Sequence, residues 1–228
     1  MRWGITMTSF AALAASLAIP DAAMAQDIEP LQKGDTIVRL RAILVAPQDD
    51  SGDIEPSLPG EGVKVTSSVT PEIDFTYMVT NNIGLELIAA TSKHDFKGVS
   101  GVTGSIGKLG STWALPPTLT LNYHFNNEGK IRPYLGAGIN YTIFYSDKAS
   151  GGLEDAVGPT SVDLDDSFGI ALHAGVDVAV SKNMMINFDA KWIDMDTTAT
   201  LDTTALGVQK VDVEIDPLVL GVGIGWKF

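Results

Sequence analysis

From Thr36 to Phe228, apolar and polar side chains alternate along the chain with a period of two. This period sends successive side chains to opposite faces of a β-strand. Most of the alternating runs are close to the 9–11 residues that cross a bilayer as a tilted strand. Eight runs follow the pattern: residues 36–46, 69–79, 83–91, 115–125, 131–145, 167–180, 184–194 and 217–228.

The connections between these runs alternate in length. The short ones, such as residues 80–82 and 126–129, are rich in Asn and Gly, which tolerate the left-handed conformations of tight turns. Long polar stretches separate the other pairs, at about residues 47–68, 92–114, 146–166 and 195–216. Outer-membrane barrels have short turns in the periplasm and long loops outside. We therefore predict an all-β fold, an eight-stranded antiparallel transmembrane β-barrel with short periplasmic turns and long extracellular loops.

A soluble β-sandwich or a lipocalin-type barrel is the alternative fold. Both also alternate apolar and polar residues, but their apolar face points inward. Aromatic residues near the ends of the runs, Tyr77, Tyr123, Phe125 and Trp226, instead favour a girdle at a membrane interface. The pattern therefore favours the membrane barrel over the soluble one.

The first residues have the features of a secretory signal peptide. Arg2 precedes an apolar stretch at residues 10–19, and Ala23-Met24-Ala25 matches the small-residue cleavage pattern. That stretch is shorter than the roughly 20 residues of a membrane-spanning helix. We predict a signal peptide at residues 1–25, a periplasmic segment at 26–35 and a barrel at 36–228, in the outer membrane of a Gram-negative bacterium.

Composition narrows the candidate chemistry. The chain has no cysteine, so it has no disulfide, thiol nucleophile or thiolate metal site. Its net charge of −13 argues against nucleic-acid binding, which needs clustered Lys and Arg. The glycine pattern at residues 221–225 lacks the following helix of a dinucleotide site. Asp163, Asp165 and Asp166 lack EF-hand spacing and indicate a solvated acidic loop. We expect no metal and no cofactor.

An enzyme is the competing class, because a serine and histidine at a barrel rim can act on lipids. The sequence has no G-x-S-x-G motif. His124 and His173 fall in strands, on the lumen face, and only His94, in a loop, is placed to serve as a base. We predict that the protein is not an enzyme.

The lumen-facing positions carry charges of both signs. Such groups should form pairs inside a narrow barrel, because an unpaired buried charge is costly. The network either closes the lower barrel to water and ions or simply keeps the barrel rigid, and both interpretations disfavour a wide pore. The residues are Arg39, Arg41, Glu72, Asp74, Glu86, His124, Asp177, Asp189 and Lys191.

Several sequence blocks are specific enough to suggest a family. They are DFTY at 74–77, NIGLEL at 82–87, LPPTL at 115–119, RPYLGAGINYT at 132–142, Asp177, IDMD at 193–196 and DP at 216–217. On these blocks the chain resembles the OmpW family of small outer-membrane proteins. The resemblance implies a narrow, largely apolar lumen that passes small hydrophobic molecules and releases them sideways into the bilayer.

The resemblance also implies roles for particular residues. Ile88 fits the apolar barrier midway down the lumen, whereas Lys191 departs from a position where relatives can carry an aromatic. Pro116 and Pro117 interrupt strand pairing, which either opens a lateral exit or merely marks a strand end. Trp226 and the terminal Phe228 resemble the signal read by the barrel-assembly machinery.

Two functions follow. The first is a monomeric, passive conduit for small hydrophobic molecules; its other partners are outer-membrane lipid, lipopolysaccharide and the barrel-assembly machinery. The second is a structural or surface-interaction barrel that contacts host, phage or lipopolysaccharide and transports nothing. Lys93, Lys97 and Lys108 make the second long loop basic, which suits either lipopolysaccharide phosphates or plain solvation.

Overall fold

The computed structural model describes residues 28–228. The predicted signal peptide at residues 1–25 lies outside the described residues. Fifteen strands and two short helices follow one another along the chain. In order they are β1 (Thr36–Ala46), β2 (Asp50–Ser51), β3 (Val63–Val65), β4 (Ser68–Met78), β5 (Ile83–Ala90), β6 (Ser92–Gly98), α1 (Gly101–Ile106), β7 (Lys108–Leu115), β8 (Thr118–His124), β9 (Ile131–Ala149), α2 (Gly151–Val157), β10 (Thr160–Leu164), β11 (Ser167–Ala179), β12 (Met184–Ile193), β13 (Asp196–Thr203), β14 (Gly207–Glu214) and β15 (Leu218–Lys227).

Eight of these strands form a closed antiparallel barrel. The order around the barrel is β1, β4, β5, β8, β9, β11, β12 and β15, and β15 pairs back with β1. Each of the eight coincides with one of the alternating runs, so the predicted barrel is confirmed. Neither helix in the described chain is long and apolar enough to cross a membrane.

The barrel is apolar outside and charged inside. In β4, Phe75 is 48% exposed while the neighbouring Asp74 is fully buried. The same division holds in β1, where Leu40 is 53% exposed between two buried arginines. A soluble barrel has the reverse arrangement, whereas a surface of this kind fits a lipid environment. Period-two alternation therefore puts the lipid-facing and lumen-facing sets on opposite sides of the same strands.

The long extracellular connections are more ordered than polar loops. Strands β3, β6 and β7 extend the barrel wall beside the upper part of β9, and β10, β13, β14 and β2 form a second sheet. Buried apolar side chains such as Val65, Leu109, Leu164 and Val213 join the two sheets in one core. Several of these strands have only two to five residues, too few for alternation to identify them.

Residues 28–35 form a strap across the periplasmic end of the barrel. Leu31 is fully buried against Ile37, Met78 and Met185. Its backbone N–H donates to the Asn127 carbonyl at 2.9 Å, in one of the periplasmic turns. The strap therefore places an apolar side chain in the lower mouth of the barrel.

Charged groups hold the beginning of this strap. The Glu29 carboxylate lies 2.7 Å from the Lys182 ammonium and 3.3 Å from that of Lys227. Hydrogen bonds from Lys182 and Lys227 lower the pKa of Glu29. Arg132 also donates to the Glu29 carbonyl, at 2.5 Å. These contacts tie the strap to a turn and to two barrel strands.

Candidate functional site

The lower lumen is filled by two arginines from β1. The Arg39 guanidinium donates to both carboxylate oxygens of Asp177, at 3.0 and 2.7 Å, and to Asp74 at 3.0 Å. Both carboxylates and the arginine are fully buried. A two-pronged contact of this kind is the strongest common geometry for a buried ion pair.

Arg41 lies one lumen position further up β1 and joins more acids. It donates to Asp74 as well, and lies 3.0 Å from both Glu86 and Glu72. Asp189 is 3.4 Å away. Asp74 therefore bridges the two arginines, and the acids of β4, β5 and β12 converge on one cation.

Glycines in neighbouring strands make room for these long side chains. A Cβ on Gly223, which faces Arg41 across the β1–β15 pairing, would lie 2.7 Å from the Arg41 Cα and 2.2 Å from the Leu40 carbonyl oxygen. A Cβ on Gly136 would lie 2.0 Å from His173 Nε2. A larger residue at Gly223 would overlap the backbone of β1, and one at Gly136 would displace His173 and Asn122.

Further polar groups complete the network. His173 lies between Asp189, at 3.0 Å from Nδ1, and Asn122, at 2.8 Å from Nε2. Tyr134 donates to Asp189 at 2.8 Å, and its ring packs against His124 with centroids 5.3 Å apart. The lower lumen is thus a filled polar core.

Above this core the lumen becomes apolar. Lys191 and Glu72 form the boundary, with their charged groups 2.9 Å apart. A cavity of about 50 Å³ lies directly above the pair. Its walls are mostly apolar and include Ile43, Val45, Ile88, Ala114, Phe144, Ile193 and Val219.

His94 gives this cavity a polar spot. The residue was expected in a loop but lies in the extracellular strand β6, buried at the cavity wall. Its Nδ1 is 2.7 Å from the Thr66 carbonyl oxygen and its Nε2 is 2.8 Å from Ser92 Oγ. Since the carbonyl can only accept, Nδ1 donates to it, and Nε2 accepts from the serine. Burial lowers the pKa of His94, although the bond to Thr66 opposes this shift.

The barrel wall beside the cavity has a gap in its backbone pairing. β5 pairs with β8 as far as Ile88 and Thr118, and the ladder resumes above at Ser92 and Ala114. Among the described residues, no backbone hydrogen bond joins the segments 89–91 and 115–117. We call this gap the seam.

The backbones of the two prolines at the seam face different neighbouring strands. Tyr141 N–H donates to the Pro117 carbonyl at 3.1 Å, so the backbone of Pro117 faces β9. Adjacent residues in a strand point their backbone groups to opposite sides. Pro116 therefore faces Ala90 across the seam, where its missing N–H leaves the ladder open.

Side-chain hydrogen bonds join the strands at other points near the seam. Thr70 Oγ1 donates to the Thr91 carbonyl at 2.6 Å, on the side of β4. On the outer surface, the Tyr145 hydroxyl lies 2.6 Å from Thr91 Oγ1. A side chain thus joins this segment to β4. On the side of Pro116 no backbone hydrogen bond crosses to β5, and the Pro116 carbonyl instead accepts from Thr118 Oγ1 of its own strand at 3.0 Å.

Comparison with known proteins agrees with this geometry. The model of the OmpW family matches residues 32–228. The chain belongs to the OmpW family. The outer-membrane protein y4mB of Sinorhizobium fredii is 36% identical over 225 residues, covering 99% of this chain and 93% of the relative. Outer membrane protein W of Vibrio cholerae is 35% identical over 199 residues, 86% of this chain and 90% of the relative.

Two further relatives come from Pseudomonas aeruginosa. The dibenzothiophene metabolism operon protein PahQ is 30% identical over 174 residues, 75% of this chain and 77% of the relative. The crystal structure of the outer membrane protein OprG superposes with a TM-score of 0.83 at 32% identity, covering 89% of this chain and 99% of that one. This OmpW-family chain is accordingly an outer-membrane barrel, embedded in lipid.

Apart from the charged residues of the lower lumen, the residues singled out from the sequence fall in three places. Ile88, 2% exposed, lines the cavity, and Lys191 lies at its lower boundary. Pro116 borders the seam. Trp226 and Phe228 lie at the periplasmic end, facing outward, and are 38% and 73% exposed. No metal-binding group of three His, Asp or Glu side chains occurs within residues 28–228.

Sequence reasoning did not single out the neutral members of the lower network. Tyr134, Asn122 and Asn187 are buried there, and Asn187 donates to Asp177 at 2.8 Å. Strand alternation placed Asn122 and Asn187 on the lumen face, so the signal was present. Because neutral polar residues also suit a solvated lumen, only the structure reveals their pairing.

Proposed function

We propose that this OmpW-family barrel passively conducts small hydrophobic molecules from the cell surface into the outer membrane. The observation that carries the proposal is the apolar cavity in the upper lumen, directly beside a seam in the wall. Pockets of this composition suit apolar ligands, which gain free energy as their surface leaves water. We propose Ile88 as a barrier residue at the cavity wall. Lys191 belongs to the same barrier and departs from its apolar pattern.

The lower lumen supports lateral release rather than passage to the periplasm. Below Lys191 and Glu72, a molecule would meet the buried ion pairs of Arg39 and Arg41, and then Leu31 of the strap. Displacing one partner from a buried ion pair costs several kcal/mol. A sideways path past Pro116 breaks no backbone hydrogen bond, so we propose the seam as the exit. PahQ supports the substrate class, since its name links it to the metabolism of an apolar aromatic compound.

Uptake of dibenzothiophene tests the conduit. Cells lacking other OmpW-family proteins, supplied with labelled compound at low external concentration, should accumulate it faster when this protein is present. Ala114→Phe fills the cavity and should abolish the gain. Ala137→Phe adds the same ring on the lipid face, where Ala137 is exposed, and should leave uptake unchanged. Equal uptake with and without the protein would instead favour the structural or surface-interaction barrel.

The seam has its own matched pair of variants. Pro116→Ala restores an N–H that faces Ala90 and should slow uptake severalfold. Pro117→Ala restores one that faces Tyr141 in β9, where the wall is already paired, and should have little effect. Equal effects from the two variants would argue against an exit at Pro116.

Two partners belong to this proposal. The outward-facing Trp226 and Phe228 at the end of the last strand are proposed as the signal for the barrel-assembly machinery. Lipopolysaccharide is proposed as a neighbour in the outer leaflet. We propose that the protein acts as a monomer, without catalysis or a cofactor.

A further inference from the structure

Five lysines share one outward surface above the seam, on β3, β6, β7 and β9. We call this group the lysine patch: Lys64, Lys93, Lys97, Lys108 and Lys148, all exposed. Together these strands extend the barrel wall, so the patch continues the lipid-facing surface upward. The chain as a whole has a net charge of −13, which makes this cluster of cations unusual for the molecule.

Strand register brings the lysines together. Lys97 lies directly opposite Lys64 on one side and, across a shift in the strand register, opposite Lys108 on the other. Opposed residues of antiparallel strands share a face, with Cβ atoms about 4.5–5.5 Å apart. Lys148 lies opposite Ser111 in the next row down, and Lys93 lies opposite Trp113 in the row below that.

The charges of the patch are largely unbalanced. Within residues 28–228, the patch has one ion pair, between Lys108 and Asp95 at 2.8 Å. Like charges directly opposite one another destabilise a sheet. Lys64 and Lys97 oppose each other, and neither has an ion pair among the described residues, so their repulsion has a free-energy cost that a bound polyvalent anion would lower.

The height of the patch indicates the source of that anion. On β9 the outward apolar residues run from Ile131 to Ile143, which at the usual rise and tilt spans about 30 Å across the membrane. Tyr145 and Trp113 follow immediately and stack, with ring centroids 6.3 Å apart. Aromatic residues of this kind mark the interface. Lys93 lies in this row, so the patch begins at the level of the lipid headgroups.

We propose that the lysine patch binds the phosphate groups of an anionic lipid in the outer leaflet. Lys97 and its opposed neighbours contact the phosphates as point charges. The acyl chains lie below them, against the apolar wall beside the seam. A soluble anion would have no use for the adjoining apolar face, which is why we assign the site to a lipid. This inference rests on the proposed lipopolysaccharide contact and is independent of transport.

Quenching of tryptophan fluorescence tests the site when Trp3, Trp192 and Trp226 are replaced by phenylalanine, because Trp113, in the lowest row of the patch, is then the one tryptophan left. This background keeps all five lysines and serves as the wild type of the experiment. It is placed in vesicles that contain brominated phosphatidylglycerol or brominated phosphatidylcholine. The anionic lipid should quench more strongly, and the difference should fall with salt. The triple variant Lys64→Gln/Lys97→Gln/Lys108→Gln should lose this difference. Each lysine removed should lower the affinity for the anionic lipid, relative to the neutral one, about fivefold.

Lys210→Gln is the matched control, because Lys210 is exposed on β14 in the second extracellular sheet. The two lipids should quench the tryptophan fluorescence of this variant as they do that of the wild type. Retained preference in the triple variant, or equal quenching by both lipids in the wild type, would overturn the proposal. Inorganic phosphate would also overturn the proposal if it prevented the quenching of Trp113 by the brominated anionic lipid, since a soluble anion would then occupy the patch. Dibenzothiophene uptake is measured on the same variants, so a failure of the patch is distinguishable from a failure of the conduit.

Discussion

The two halves of the lumen are built from the same strands and are opposite in character. Below Lys191, the inward side chains are mostly charged or polar and fill the space, down to the apolar cluster around Leu31 at the lower mouth. Above it they are mainly aliphatic, and a cavity remains. The lipid-facing side chains do not change at this level, since Leu40 and Leu44 of β1 are both exposed. The closed and open halves of the lumen therefore differ only in the lumen-facing residues, which are every second residue of each strand.

The contrast separates two requirements of a conduit in the membrane. A filled polar core resists insertion of any molecule, because each guest must break paired charges. An apolar cavity resists only water, which finds few partners there. One barrel can thus stay closed to ions at its lower end and open to apolar molecules at its upper end.

Asp74→Ala should have the largest effect, because it removes a carboxylate from the ion pairs that fill the lower half of the lumen. Asp74 bonds both arginines, and removing it leaves two buried cations short of a partner. We expect the free energy of unfolding to fall by about 3–5 kcal/mol. Urea titration of the protein in vesicles measures this. Asp202→Ala, at an exposed position of β13, should change it little. A loss below about 1 kcal/mol for Asp74→Ala would mean that the network is dispensable.

Lys191→Trp moves the boundary between the halves and should have a smaller effect. The substitution extends the apolar surface downward, and Glu72 keeps Arg41 as a partner at 3.0 Å. We expect apolar ligands to bind about tenfold more tightly, or about 1.4 kcal/mol. Titration of the purified protein with a fluorescent apolar probe measures the change, with Lys210→Trp as the control. An unchanged affinity would show that Lys191 does not line the path of the ligand.

Acidification should have the smallest effect of the three changes, and it is followed at the strap below the lower half. The lysines lower the pKa of Glu29 below its ordinary 4.5. A carboxylate with a lowered pKa stabilises the fold above that ordinary value, and the contribution disappears as pH falls through the lowered pKa. NMR order parameters of Leu31 should therefore decrease from pH 6 to pH 3. In Glu29→Gln they should be low at both pH values, and a wild-type-like drop there would exclude Glu29 as the cause.

Much of the barrel was predictable because alternation is strong wherever one face meets lipid. The eight strands and the inward direction of Arg39 and Asp74 follow from that period alone. The seam was less predictable, because the sequence shows two adjacent prolines without telling which of them faces β5. The extracellular sheets were missed because β2, β3 and β10 have only two to five residues, and because the core of these sheets forms only when distant segments such as Val65 and Val213 meet. Register, too, was needed to bring Lys64, Lys97 and Lys108 together.

The backbone contact between the two ends of the barrel has a kinetic consequence. Thr36 and Phe228 exchange both backbone hydrogen bonds, at 3.0 and 2.8 Å, although nearly the whole chain separates them. The entropy lost in closing a loop grows with its length. Sheets that depend on such distant pairings fold slowly. The ring can close only when β15 reaches β1, so folding time should be governed by this encounter rather than by the hairpins.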